Sequence, residues 1–116
     1  MALSNKAILP ILWEMFPEHP NLLPAAFERS DVPGACVEKP VHGREGADVR
    51  LLDADEVGAG EPGCIYQAAY KMPVFDGMHP VIGSWVIAGK SAGIGIREDT
   101  TPITTNASRF VPHYFF

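Results

Sequence analysis

Lys39 closes an apolar run, "ACVEKPV" (35–41), and leads into His42-Gly43-Arg44-Glu45-Gly46-Ala47. A lysine followed by a Gly-flanked turn can offer one fixed charge and several backbone N–H groups to a single anion. Gly43 and Gly46 permit the backbone dihedrals that such a concave loop needs. The same residues also suit an exposed hairpin turn with solvated charges. Lys6, in "SNKAIL", falls in the first turn of a predicted helix. A cation there opposes the helix dipole, unless a bound phosphate reverses the local sign. Taken alone, Lys6 reads equally as a solvated surface lysine.

Two further stretches carry polar groups. "IYQAAY" places Tyr66, Gln67 and Tyr70 on a predicted strand. Its backbone can pair with the edge of an adenine, or its side chains can simply fill a core. "GIREDTTPITTNASRF" holds Arg97, Glu98, Asp99, Asn106 and Arg109. Arg97 ends an apolar strand, so its guanidinium can reach a cleft and grip a phosphate in a bidentate way. Glu98 and Asp99 offer the oxygen donors that Mg²⁺ prefers, or they form ion pairs within a solvated loop. Histidines 19, 42, 79 and 113 are scattered: three adjoin a proline and the fourth sits in the glycine loop. They read as turn residues, without a Ser-His-Asp or Cys-His pattern.

The elements that must hold these groups follow from periodicity. "SNKAILPILWEMFP" (4–17) reads as a helix, with Ser4 or Asn5 as its cap. Ile8, Ile11, Leu12, Met15 and Phe16 share one face. "NLLPAAFE" (21–28) suggests one more helical turn. Strands are expected at 35–41, at 48–54, over the long run "CIYQAAYKMPVF" (64–75), and twice within 79–99 around a loop "AGKSAG" (88–93). The segment from Thr101 onward reads as extended or irregular. The expected fold class is α+β, one helix packed on a mostly antiparallel sheet.

The chain has 116 residues, 47% of them hydrophobic, and a formal charge of −5. This suits a globular chain and gives no reason to expect a nucleic-acid surface or an anionic membrane as partner. Its apolar runs are too broken by Pro and Gly to span a bilayer. Two cysteines, Cys36 and Cys64, without a secretory signal, read as free buried thiols in a soluble, cytoplasmic protein. Met1-Ala2-Leu3 enters the helix abruptly, which suggests a fragment of a larger domain.

In order, "LSNKAILPILWEMFPEHPNLLPAAFE", "VEKPVHGREGADV", "IYQAAYKMPVFDGMHPVIGSWVIAGKSAGIGIRED" and "TPITTNASRFVPHY" resemble the C-terminal ATP-binding part of the glutathionylspermidine synthase family. The resemblance runs from Leu3 to about Tyr114 and implies an ATP-grasp-like lobe over residues 1–116. It implies that Lys6 and Lys39 contact ATP phosphates and that Glu45 and Gly46 belong to the loop above them. Gln67 and Tyr70 would meet the adenine, and Pro102, Ile103 and Thr104 would lie beside the nucleotide. Arg97 would reach the reacting phosphate and acyl groups. The implied chemistry is ATP-dependent amide ligation of a peptide carboxylate to an amine through an acyl phosphate. The Mg²⁺ ligands of the family precede the "SNKAIL" helix, so they are expected outside this chain, in an N-terminal part of the enzyme. No metal ligand is assigned here, and Glu98 and Asp99 are not promoted to replace the missing ones. Other readings are a truncated, non-catalytic domain with little ATP affinity and an unrelated small binding module.

Overall fold

Helix α1 covers Ile8–Met15, shorter than the 4–17 expected. Long-range bonding sets its start. The Lys6 backbone N–H donates to Val41 O at 3.0 Å, which holds that residue outside the helix. Asn5 Oδ1 accepts from the Ala7 N–H at 2.8 Å and closes the preceding turn, whereas Ala7, the N-cap, has no side-chain cap. Pro10 falls in the first turn, where its missing N–H costs no helical bond. The computed structural model describes residues 4–114 and 116, so Met1, Ala2 and Leu3, where the abrupt start and the family resemblance begin, lie outside it.

The chain forms two units, Met1–Tyr70 and Lys71–Phe116. The first carries α1 and a four-stranded antiparallel sheet in the order β1-β4-β2-β3. Its strands are β1 (Ala25–Ala26), β2 (Cys36–Pro40), β3 (Arg50–Leu52) and β4 (Cys64–Ala68). The extra helical turn expected at 21–28 is absent. Ala25 and Ala26 instead pair with Gln67 and Tyr66, and a 3-10 turn follows at Arg29–Asp31. β4 stops well short of Phe75. The Ala68 and Ala69 N–H groups take the last neighbouring carbonyls, Pro24 O and Ala35 O, and Pro73 could donate nothing beyond them.

Residues opposite one another in an antiparallel pair share a face. One face of this sheet therefore carries Cys36, Glu38, Leu52, Arg50, Tyr66 and Ala68, and the other carries Val37, Lys39, Leu51, Ile65 and Gln67. Val32, Cys36, Leu52 and Tyr66 form the core on the first face, with Ala26 and Ala68 packed beside them. Glu38 lies in it at 2% exposure, accepting from Tyr66 Oη at 3.0 Å, Ala59 N at 2.9 Å and Arg50 Nη1 at 3.2 Å. Gly58 completes the enclosure: a Cβ there would come within 2.6 Å of Tyr66 Cε1 and 2.9 Å of Glu38 Oε1. Neither side chain has room to retreat. Gly58→Ala is expected to cost roughly 1–2 kcal/mol, read as a lower urea midpoint with an unchanged slope.

Arg29 closes the opposite end of the loop system. Its guanidinium donates to the carbonyls of Val32 (2.5 Å), Gly34 (3.0 Å), Asp53 (3.2 Å), Ala54 (3.0 Å) and Glu56 (3.2 Å). Nε and Nη1 each donate to one carbonyl, of Glu56 and Val32, while the two N–H groups of Nη2 are shared among Gly34, Asp53 and Ala54.

The second unit is a three-stranded antiparallel sheet, β5 (His79–Ile87), β6 (Lys90–Asp99) and β7 (Arg109–Val111). Two sheets thus replace the single one expected, and α+β stands as the class. The hairpin turn takes only Ala88 and Gly89, with φ of 50° and 75°, not the whole of 88–93. Positive φ at both central residues matches the twist of the flanking strands. The glycines at 83 and 95 pair, with the Trp85 indole over Gly95. The tail read as irregular supplies β7, which pairs with β6 at Ile96, Arg97 and Glu98. Among the described residues, no helix is long and apolar enough to cross a membrane.

Candidate functional site

Of the residues singled out in the first unit, Lys39 and Gln67 share the second face of its sheet and Lys6 lies at the root of the glycine loop, whereas Tyr66 belongs to the core on the first face. Lys39 projects from β2, and its Nζ donates to Gln67 Oε1 at 2.6 Å. Lys39 and Gln67 sit diagonally on adjacent strands, since Lys39 opposes Ile65 and Val37 opposes Gln67. Lys6 lies just before α1, and its Nζ donates to Gly43 O at 2.6 Å. Burial, and secondarily the Lys6 cation, hold the Lys39 ammonium below its ordinary value of 10.5. Two like charges thus share one region at the root of the glycine loop, with one of them half-buried. Such a pairing is unfavourable by itself and favours an anion between the two.

The loop is built for backbone display. Val41 N donates to Gly63 O at 2.7 Å and fixes where it leaves the sheet. Turns then close through Ala47 N to Arg44 O at 3.1 Å and Val49 N to Gly46 O at 3.2 Å. Glu45 and Gly46 are both left-handed, with φ of 58° and 73°. Glycine takes that conformation at no cost, while a glutamate gives up about 1 kcal/mol or more. The Glu45 side chain is exposed, so its contribution at this position is chiefly backbone shape.

Gln67 and Tyr70 separate. Gln67 is interior to the sheet, between Ala25 of β1 and Val37 of β2, so its backbone faces strands on both sides. Tyr70 lies beyond β4, 69% exposed, and not on the strand where it was expected.

The remaining residues belong to the second unit. Arg97 lies within β6, and one edge of its guanidinium is held by its own chain, while its buried Nε has no hydrogen-bond partner among the described residues. Nη2 donates to Thr105 O and, at 3.3 Å, to Ser108 O, while the Cζ atom stands 5.3 Å from the centre of the Phe110 ring. The loop it grips contains Pro102, exposed, and Ile103 and Thr104, half-buried. Thr101 Oγ1 donates to Ile103 O at 3.0 Å and turns that loop. Glu98 pairs with Arg109 at 3.0 Å. Asp99 accepts from Ser108 and Thr100, and the Ser108 bond pulls its carboxyl below the usual range. Glu98 thus forms an ion pair, whereas Asp99 is held by hydroxyls. Among the described residues no group of three or more His, Cys, Asp or Glu could hold a metal.

Cys36 and Cys64 are free; Cys36 is buried and Cys64 half-buried. Burial raises both thiols, which leaves them poor nucleophiles. Sequence reasoning passed over Glu38 and Arg29, whose partners lie up to 28 and 27 positions away. One signal was available: a glutamate inside an otherwise β-type run, on the face opposite its lysine neighbour.

Comparison with known proteins gives one family and several relatives. The family described as glutathionylspermidine synthase preATP-grasp matches residues 1–116. A Haemophilus influenzae protein named for an acid–amine ligase activity is 45% identical, over 99% of this chain and 33% of its own length. Trypanothione synthetase of Crithidia fasciculata is 40% identical over 92% of this chain and 18% of its own. The bifunctional glutathionylspermidine synthetase/amidase of Escherichia coli is 32% identical over 94% and 19%. The chain thus spans a third or less of the length of these curated relatives.

Proposed function

The chain belongs to the glutathionylspermidine synthase preATP-grasp family, and from that premise we propose that it supplies the phosphate-gripping wall of an ATP-dependent carboxylate–amine ligase. Its relatives carry the names of ligases. The observation that carries the reading is the convergence of Lys6 and Lys39 at the root of the Gly43–Gly46 loop.

In the proposed reaction a substrate carboxylate oxygen attacks the terminal phosphorus of ATP, and the bond to the ADP oxygen breaks. The amine nitrogen then attacks the acyl carbon, the C–O bond to phosphate breaks, and the amine loses a proton. Charge builds on the phosphate oxygens as the first bond parts. Lys39 and Lys6 neutralise that charge, and loop N–H groups complete the cradle. The low solvation of Lys39 strengthens its pull on an anion. The segment after β4, including Tyr70, borders the adenine. The family resemblance assigns Arg97 to the reacting groups, a role that requires its guanidinium to exchange its carbonyl partners for phosphate or acyl oxygens. Mg²⁺ belongs to the proposed chemistry, but the described residues do not fit it, with Glu98 and Asp99 already engaged. No step here passes through the metal.

Titrating the isotope-labelled chain with ATP, inorganic tripolyphosphate and adenosine, followed by NMR, tests the reading. Amide shifts at Lys6, 41–46 and Gln67 should respond to ATP and tripolyphosphate. No response to either polyanion at millimolar concentration would overturn the phosphate assignment and favour a non-catalytic domain.

A further inference from the structure

The bond from Lys39 to Gln67 leaves one polar group of this region without an account. Gln67 Oε1 accepts from the Lys39 ammonium at 2.6 Å, a charge-assisted contact on one face of the sheet. Ile65, directly opposite Lys39, is fully buried, so the lysine stem runs along apolar surface and only its head finds polar company. A lysine carries four rotatable bonds, and a half-buried head with several arrangements would bind phosphate with the cost of choosing one. Gln67 is poorly able to wander. Its backbone lies between two strands, and its own side chain must point to the Lys39 face by the alternation of β4.

We propose that the Gln67 side chain is a positioning residue for the Lys39 ammonium, holding it aimed at the phosphate chain, and not a determinant of base recognition. The inference rests on the phosphate reading above. It uses one of the three N–H donors of Lys39 and leaves two for anion oxygens. The amide oxygen is neutral, so it orients the cation without cancelling its charge. A glutamate in the same place would do both, and would repel the incoming phosphate.

Two variants, Gln67→Leu and Gln67→Glu, separate this role from a structural one. In the full chain, Gln67→Leu should weaken binding of ATP and of tripolyphosphate by the same factor, roughly threefold to tenfold. Adenosine binding should not change. The Lys39 side-chain pKa, followed by NMR against pH, should fall further in Gln67→Leu, because an acceptor favouring the charged form is gone. It should rise in Gln67→Glu, where a carboxylate faces the ammonium, while Lys6 remains the neighbouring like charge in both. A Gln67→Leu variant that loses adenosine and ATP in parallel, or Lys39 titrations that do not move in opposite directions, would overturn the assignment. Should Gln67→Leu fail to fold, the upward shift in Gln67→Glu, with weakened tripolyphosphate binding, remains decisive. A wild-type chain that ignores tripolyphosphate would instead sink the phosphate reading itself, which keeps the two failures apart.

Discussion

Lys39→Met is expected to lower affinity for ATP by roughly tenfold to a hundredfold, the range of a lost hydrogen bond to a charged group. The fold should survive and become no less stable. The sign follows from the direction of the Lys39 shift. Burial and the Lys6 cation depress its pKa in the folded chain, so the unfolded chain binds that proton more readily. The charged lysine therefore weakens the fold at neutral pH, and stability is recovered as pH rises from the lowered value toward 10.5. Methionine has a similar stem and no charge, which removes that weakness together with the phosphate contact. Thermal melts and calorimetric titration of one preparation give both numbers. A variant that loses stability while keeping its affinity would mean that Lys39 serves the sheet and not a ligand. The pH profile supplies a second check: as pH rises, affinity for ATP should begin to fall before the pH at which an ordinary lysine would discharge.

The largest stability effect is expected at Glu38. Replacing it with leucine removes the acceptor for Tyr66 Oη and for the Ala59 N–H, both held within 3.0 Å. Tyr66 is itself buried, so its hydroxyl would have no water to turn to. The orphaned Tyr66 hydroxyl costs about 1–3 kcal/mol, while the N–H of Ala59, an exposed residue, adds less, which puts the substitution at about 2–3 kcal/mol. Arg50 matters less, because its side chain is half-exposed and can return to solvent. Small domains have about 5–15 kcal/mol in all, so this loss consumes much of the margin. Hydrogen exchange should accelerate across β2 and β4. Glu38→Gln keeps one acceptor oxygen and should lose about half as much. Equal stability of the Leu variant and the wild type would show that the carboxylate is dispensable to the core.

The contrast between these two neighbours explains what could be read in advance. The placement of Lys39 at a strand end before a glycine turn was legible because lysine, glycine and a turn occur together within eight positions, and local chemistry of that kind survives in a string. The β2 and β4 runs were legible for the same reason, as was the hairpin of β5 and β6. Glu38 was not, because only the pairing of β2 with β4 brings Tyr66 to it. Likewise, β1 exists because β4 has an edge for Ala25 and Ala26 to join, against a local preference that suggested a helical turn. Tyr70 was misplaced because a β-type composition continues past Ala68 while the partner strands do not. Lys6 was placed in the helix, whereas its bond to Val41 draws it toward the loop. For β1 and for Lys6 a long-range hydrogen bond outweighed a local propensity of a few tenths of a kcal/mol.

Arg29 carries a consequence of another sort. All five of its acceptors are main-chain carbonyls, and every residue type has one. The knot itself therefore asks nothing of the side chains at 32, 34, 53, 54 and 56, although Val32 is held by the core and Gly34 by its positive φ of 76°. The guanidinium itself has no such latitude, because lysine brings three donors on a point charge where a flat fork spreads to carbonyls on both its edges. A single side chain thus ties two stretches, 32–34 and 53–56, through main-chain atoms alone.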